Sequence, residues 1–182
     1  MKQYISILCG LLLPLTIFSQ HTISGQVVMP NAIAVCDVLV ELMDASNLVL
    51  DQEITQNDGL FSFENQAGGQ DYRIRFSKEG SAVNGVSTLD LVLVAQHILG
   101  VRPFSSPHQI VAADVNNSET VSTLDMVFIR KLILGVDQNF TIPAWGVTVD
   151  ANQSLTNLSS DVDLDVTAIK KGDVNGTVAV CE

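Results

Sequence analysis

Asp114-Val-Asn-Asn-Ser-Glu-Thr-Val-Ser-Thr-Leu-Asp125, followed at once by Met126-Val-Phe-Ile-Arg-Lys-Leu-Ile-Leu-Gly135, decides how the chain is read. Asp114, Asn116, Ser118, Ser122 and Asp125 put oxygen side chains at loop positions 1, 3, 5, 9 and 12, and Thr120 at position 7 offers its carbonyl. Calcium is a hard cation that gathers about six to eight oxygens around one point, and this spacing can supply them from one loop. Two residues depart from the pattern. Glu119 stands at position 6, where such loops usually turn on Gly, and Ser118 is an uncharged ligand. The alternative is a capped turn, with Ser122 bonding the first amides of a helix and Asp125 in its first turn. The apolar run that follows reads as that helix, and Gly135 reads as its left-handed end.

The same grammar occurs once before. Asn84-Gly-Val-Ser-Thr-Leu-Asp90 leads into Leu91-Val-Leu-Val-Ala-Gln-His-Ile-Leu-Gly100, which aligns with Glu119 to Gly135 at a spacing of 35 residues. Here only the second half of the loop survives, with Ser87 and Asp90. Positions 1, 3 and 5 would fall on Glu79, Ser81 and Val83, and Val83 has no side-chain oxygen. The missing half stands near the C-terminus. Asp173-Val-Asn175-Gly-Thr177 matches positions 1, 3 and 5 of the intact loop. The expectation is one calcium site split between Asp173, Asn175, Thr177 and Ser87, Asp90. The alternative is a surface turn, which Asp-Val-Asn-Gly also suits.

Residues 21–78 read differently. Ile23 to Val27 opens a strand, and Val35 to Met43 alternates with Cys36, Val38, Val40 and Leu42 on one side. Leu48 to Ile54 continues as strand, Asp58-Gly59 turns, Phe61 and Phe63 alternate, and Asp71 to Phe76 closes the series. Short strands with Gly turns indicate a small antiparallel sandwich. Residues 137–170 read as a two-stranded element around Trp145 to Val149 and Val162 to Ile169. It is expected to be an insert in a second unit spanning 79–182. The fold class is α+β and multidomain.

The 182 residues carry 20 Asp and Glu against 9 Lys and Arg, a net charge of −11. That argues against nucleic acid, whose phosphates need basic patches, and against an anionic membrane surface. Residues 1–20 have Lys2, an apolar run from Ile5 to Phe18 and a small-residue exit, the pattern of a secretory leader cleaved near Ser19-Gln20. No later run is long enough to span a bilayer, so the expected chain is exported and soluble, or held outside by a partner; a monomer is expected. Cys36 reads as a buried thiol on its strand face and Cys181 as mobile. Export would permit their pairing, which two distant cysteines do not prove. None of the three His shows zinc or catalytic spacing, and no nucleophile or phosphate-loop motif occurs, so no enzyme is expected.

The duplicated half-loop and helix, each ending Ile-Leu-Gly, resembles the dockerin modules over residues 79–135 and the C-terminus. The resemblance implies two bound Ca²⁺ and docking onto a cohesin-like partner that ties polysaccharide-degrading enzymes to a scaffold or cell surface. Carried over residue by residue, the partner face would use Thr123, Leu124, Arg130 and Lys131, with Thr88 and Leu89 in the first repeat. Ala95-Gln96 replaces the basic pair there. Ser24-Gly-Gln-Val27, Val40-Glu-Leu42, Asp58-Gly-x-Phe61-x-Phe63 and Tyr72-x-Ile74 resemble the prealbumin-like modules of bacterial surface proteins, carboxypeptidase regulatory-like and collagen-adhesin B-type repeats among them. That resemblance implies a supporting role. Two other functions remain open: a calcium-rigidified stalk or adhesin fragment, and a carbohydrate-binding module in which Trp145 or Tyr72 stacks on a sugar.

Overall fold

A computed structural model describes residues 19–149 and 155–181. The expected leader lies outside the described residues up to residue 18, and Gln20 is already the first residue of a strand. The first strands are β1 (Gln20–Val28), β2 (Val38–Asp44), β3 (Val49–Ile54), β4 (Leu60–Ala67) and β5 (Tyr72–Lys78), with burial alternating in β2 and β4 and β3 exposed along most of its length. Val38, Val40 and Leu42 of β2 and Ile23 and Val27 of β1 lose all contact with solvent, and Phe61 and Phe63 of β4 lose nearly all. Between Ile23 and Val27, Gly25 lets the Phe61 ring lie against the backbone, where a Cβ would meet its Cζ at 2.7 Å.

Three helices follow: α1 (Thr88–Ile98), α2 (Pro107–Ala113) and α3 (Thr123–Ile133). Ser87 and Ser122 cap α1 and α3, each in a reciprocal box with the Asp three residues on. Gly100 and Gly135 take positive φ and end the two helices in the same way. Their amides bond the carbonyls of His97 and Leu132, and the next amides bond Gln96 and Lys131. His108 lies in α2, whose start is marked by Ser106 as cap and Pro107 at the first helical position. Val94, Ile129 and Leu132 of α1 and α3 share a buried cluster with Ala113 and Val115.

The last two strands, β6 (Trp145–Val149) and β7 (Val162–Lys170), correct two expectations. They do not form an insert apart from the first unit. β7 pairs with β1, and β6 pairs with β7, giving one sheet of order β4-β1-β7-β6 beside a second of order β3-β2-β5. Nor is the arrangement wholly antiparallel, because β1 and β7 run parallel from Ile23 opposite Val162 to Val28 opposite Thr167. A parallel pair needs a long crossover, and the helical stretch lies within the one that joins these strands. The reason is in β7 itself. Leu164, Val166 and Ala168 are buried with Ile23, Val27, Phe61 and Val40 in one cluster between the sheets, which the helices could not offer to three alternating side chains.

Cys36 is not a free thiol and Cys181 is not left loose. The two form a disulfide across 145 residues, with Cα atoms 5.6 Å apart. Trp145 and Tyr72 both belong to the cluster between the sheets and are each 7% exposed, so neither presents a ring face to a sugar. Among the described residues, no helix is long and apolar enough to cross a membrane.

The disulfide closes a loop across 145 residues, so its loss enlarges the unfolded ensemble. Replacing both cysteines by Ser is expected to lower unfolding stability by about 2–4 kcal/mol. Denaturant titration should show this with the far-ultraviolet circular dichroism of the native state unchanged.

Candidate metal centre

Helix capping places the two carboxylates at the end of each loop. Asp90 and Asp125 sit in the first turns of α1 and α3 and are fully buried. One oxygen of each serves the cap. Asp90 Oδ2 accepts from the Ser87 amide and hydroxyl, both at 2.8 Å, and Asp125 Oδ2 accepts from Ser122 at 2.8 and 3.0 Å. The Ser87 and Ser122 hydroxyls, expected as position-9 oxygens, are thus spent on orienting these carboxylates.

The other oxygen reaches across the loop. In the intact loop Asp125 Oδ1 accepts from the Val115 amide at 3.1 Å. Asp114 Oδ1 and Oδ2 accept from the Ser118 and Glu119 amides at 2.9 and 2.8 Å. The Ser118 hydroxyl donates to the Thr120 carbonyl at 3.1 Å, and Asn116 Oδ1 accepts from the Ser118 amide at 3.0 Å. Glu119 does what Gly does elsewhere: its φ is 65°, the left-handed turn that position 6 requires.

The C-terminal segment repeats this arrangement beside α1. Asp90 Oδ1 accepts from the Val174 amide at 2.9 Å. Asp173 Oδ1 and Oδ2 accept from the Thr177 and Val178 amides at 3.0 and 2.8 Å. The Thr177 hydroxyl donates to the Gly85 carbonyl at 3.2 Å. Each of these four bonds has its counterpart in the intact loop at the same position, and the Asn175 amide adds one to Asp90 Oδ1 at 3.3 Å. Asp173, Asn175 and Thr177 therefore lie beside Ser87 and Asp90 although more than eighty residues separate them. One atom differs: Asn175 Oδ1 is buried and has no hydrogen-bond partner.

The donor chemistry suits a hard cation. Among the described residues, no group of three or more His, Cys, Asp or Glu side chains gathers as a metal cluster. Each loop instead holds two buried carboxylates with amide, hydroxyl and carbonyl oxygens nearby, which fits calcium and not a thiolate- or imidazole-bound metal. Burial pushes the Asp173 carboxyl above its ordinary value. The Thr177 and Val178 amides pull it back, and the neighbouring Asp90 charge raises it. Two like charges held together in a dry place are what a divalent ion relieves.

Two residues that sequence reading missed stand behind the loops. Lys170 and Lys171, at the end of β7, are 2% and 6% exposed. Lys170 Nζ donates to the Ala82 carbonyl at 2.8 Å. Lys171 Nζ donates to the Val111 and Asp114 carbonyls at 2.8 and 3.0 Å. Burial lowers both ammonium groups, Lys170 to about 8, while Asp173 opposes the shift at Lys170 and Asp114 and Asp125 oppose it at Lys171. Their sequence signal was a Lys-Lys pair ending an apolar strand just before Gly-Asp.

The family model of the Dockerin type I domain matches residues 84–134. Over these residues the chain is similar to a dockerin domain. The match takes in the second half-loop of the first repeat, all of α1 and α2, the intact loop and α3. Dockerin domains are non-catalytic modules that bind calcium and dock onto cohesins. The C-terminal residues Asp173, Asn175 and Thr177 lie outside the matched stretch. No curated protein matches the chain.

The two carboxylates facing Val174 and Val115 are separable by exchange. Asp90→Ala is expected to release the Val174 amide and leave Val115 protected, and Asp125→Ala to do the reverse. Each leaves buried N–H groups unpaired, a cost of about 1–3 kcal/mol per group. Residue-resolved hydrogen exchange reads both.

Proposed function

We propose that this is an exported calcium-binding docking protein whose dockerin domain engages a cohesin-like partner in a polysaccharide-degrading or cell-surface assembly. One calcium would sit in the loop from Asp114 to Asp125, with Asn116, Ser118 and the Thr120 carbonyl. The other would sit between Asp173, Asn175, Thr177, the Gly85 carbonyl and Asp90. The observation that carries the reading is the correspondence, bond for bond, between the intact loop and the one assembled from two distant segments. The leader-like residues 1–20 and the disulfide support export. The two sheets, read as a prealbumin-like support, would hold the dockerin domain away from its anchor.

The duplicated helices supply the docking faces. Thr88 and Leu89 on α1, and Thr123 and Leu124 on α3, are exposed, with Leu89 at 53% and Leu124 at 51%. Val92 and Leu99 continue the first row, and Val127 and Leu134 the second, all exposed. These four were not singled out from the sequence. The spacing places each row on one helix face, and apolar rows left in water at matched positions of a repeat suit a partner surface. The faces differ at their centres. Gln96 on α1 corresponds to Lys131 on α3, which pairs with Asp137 at 3.5 Å, and Arg130 beside it is exposed. An acidic partner would therefore favour α3.

Calorimetric titration of the calcium-stripped protein is expected to show two ions per chain, with one lost in Asp173→Ala and one in Asp125→Ala. Binding to a panel of purified cohesins should require calcium and fall on the order of tenfold or more in Leu124→Asp. Two bound ions with no cohesin captured would instead favour the structural stalk.

A further inference from the structure

The segment that completes the first loop is fixed at both ends. Before it, Lys170 and Lys171 are held by the Ala82, Val111 and Asp114 carbonyls, and the Gly172 amide bonds the Ala112 carbonyl at 2.8 Å. After it, Cys181 is bonded to Cys36, which precedes β2. Between these anchors, Val174 is buried in the cluster of the helices and Val178 in the cluster between the sheets. Asn84 Nδ2 donates to the Ala179 carbonyl at 3.0 Å, next to the loop's other half. The intact loop has no such dependence, because its ligands run in one unbroken stretch.

We propose that the Cys36–Cys181 disulfide is part of the first calcium site, so that oxidation of this pair sets calcium affinity there and leaves the Asp114 loop unaffected. This rests on the calcium reading above. The buried, unpartnered Asn175 Oδ1 supplies the oxygen that awaits a cation. With the disulfide closed, residues 173–178 are held as a ligand strand against α1. With it open, the far end is held by the packing of Val178 and the Asn84–Ala179 and Thr177–Gly85 bonds, and calcium must help to order it. By linkage the coupling is reciprocal: calcium in the first site protects the disulfide.

The test is calorimetric titration of calcium into the oxidised full chain and into a chain carrying Cys36→Ser and Cys181→Ser. Two ions are expected in the first. In the second, one affinity falls on the order of tenfold, within the usual range of coupling between sites, and the other is unchanged. Adding Asp173→Asn should remove the weakened ion. Two ions with neither affinity changed, or both lowered alike, overturn the coupling and leave the calcium reading standing. One ion or none in the oxidised chain overturns both. Should the cysteine variant fail to fold, the rate of disulfide reduction by dithiothreitol serves instead. Calcium should slow it in the unsubstituted chain and in Asp125→Asn, and not in Asp173→Asn. Equal rates in all three overturn the proposal.

Discussion

The hydrogen bond from the Val174 amide to the Asp90 carboxylate joins residues 84 positions apart, and the rest of the arrangement depends on that closure. Without it the first repeat has a helix with half a loop, and the C-terminus has half a loop with no helix. With it Val174 fills a gap among Val86, Val94 and Val115, and Asp173 comes to face Asp90. β7 makes the closure possible. It lies in the sheet beside β1, so its last residues are already aimed at the helices when the chain leaves the strand. Lys170 and Lys171 extend that aim by donating to carbonyls just before α1, within α2 and at the start of the intact loop.

The charge pattern follows from the same closure. An acidic chain keeps most of its carboxylates in water, yet Asp90, Asp114, Asp125 and Asp173 are all buried. Each is satisfied by amide and hydroxyl donors, which compensates the hydrogen bonds lost with water and leaves the net charge. The two buried ammonium groups lie behind the loops and bond carbonyl oxygens. They offset part of that charge at a distance and leave the carboxylate oxygens to other partners. Burial draws both lysines below their ordinary range, and the nearby Asp173, Asp114 and Asp125 carboxylates oppose that shift.

What the sequence made legible was whatever is local. The intact loop, both capping boxes, both Gly helix ends and the strands from β1 to β5 all lie in short stretches whose period or punctuation names them. The split loop was legible for the same reason, since Asp173-Val-Asn-Gly-Thr177 is half of a local pattern and its other half was visibly missing. The parallel pairing of β7 with β1 was not legible, because strand partners are chosen by burial against a distant surface and not by spacing. Nor was the disulfide, for which the decisive fact is the 5.6 Å between two Cα atoms. Glu119 was read as a defect in the loop. Its left-handed backbone shows that the turn is made without Gly, held by the Asp114 carboxylate bonded to its amide.

The two loops differ in what closure costs. The intact loop bridges 10 residues from Val115 to Asp125, and the split one bridges 84. For flexible chains the logarithmic length dependence puts these at about 2 and about 4 kcal/mol, before a shared constant. A penalty of about 2 kcal/mol separates two loops whose principal hydrogen bonds correspond. The fold offsets it outside the site. The β1–β7 pairing, the Lys-Lys anchor and the disulfide shorten the effective loop long before any ligand is required to do so. The intact loop shares only the Lys171 bond to the Asp114 carbonyl, and its residues follow one another directly into α3. The sheets and the disulfide are therefore part of what brings Asp173 beside Asp90, as the short loop alone brings Asp114 beside Asp125.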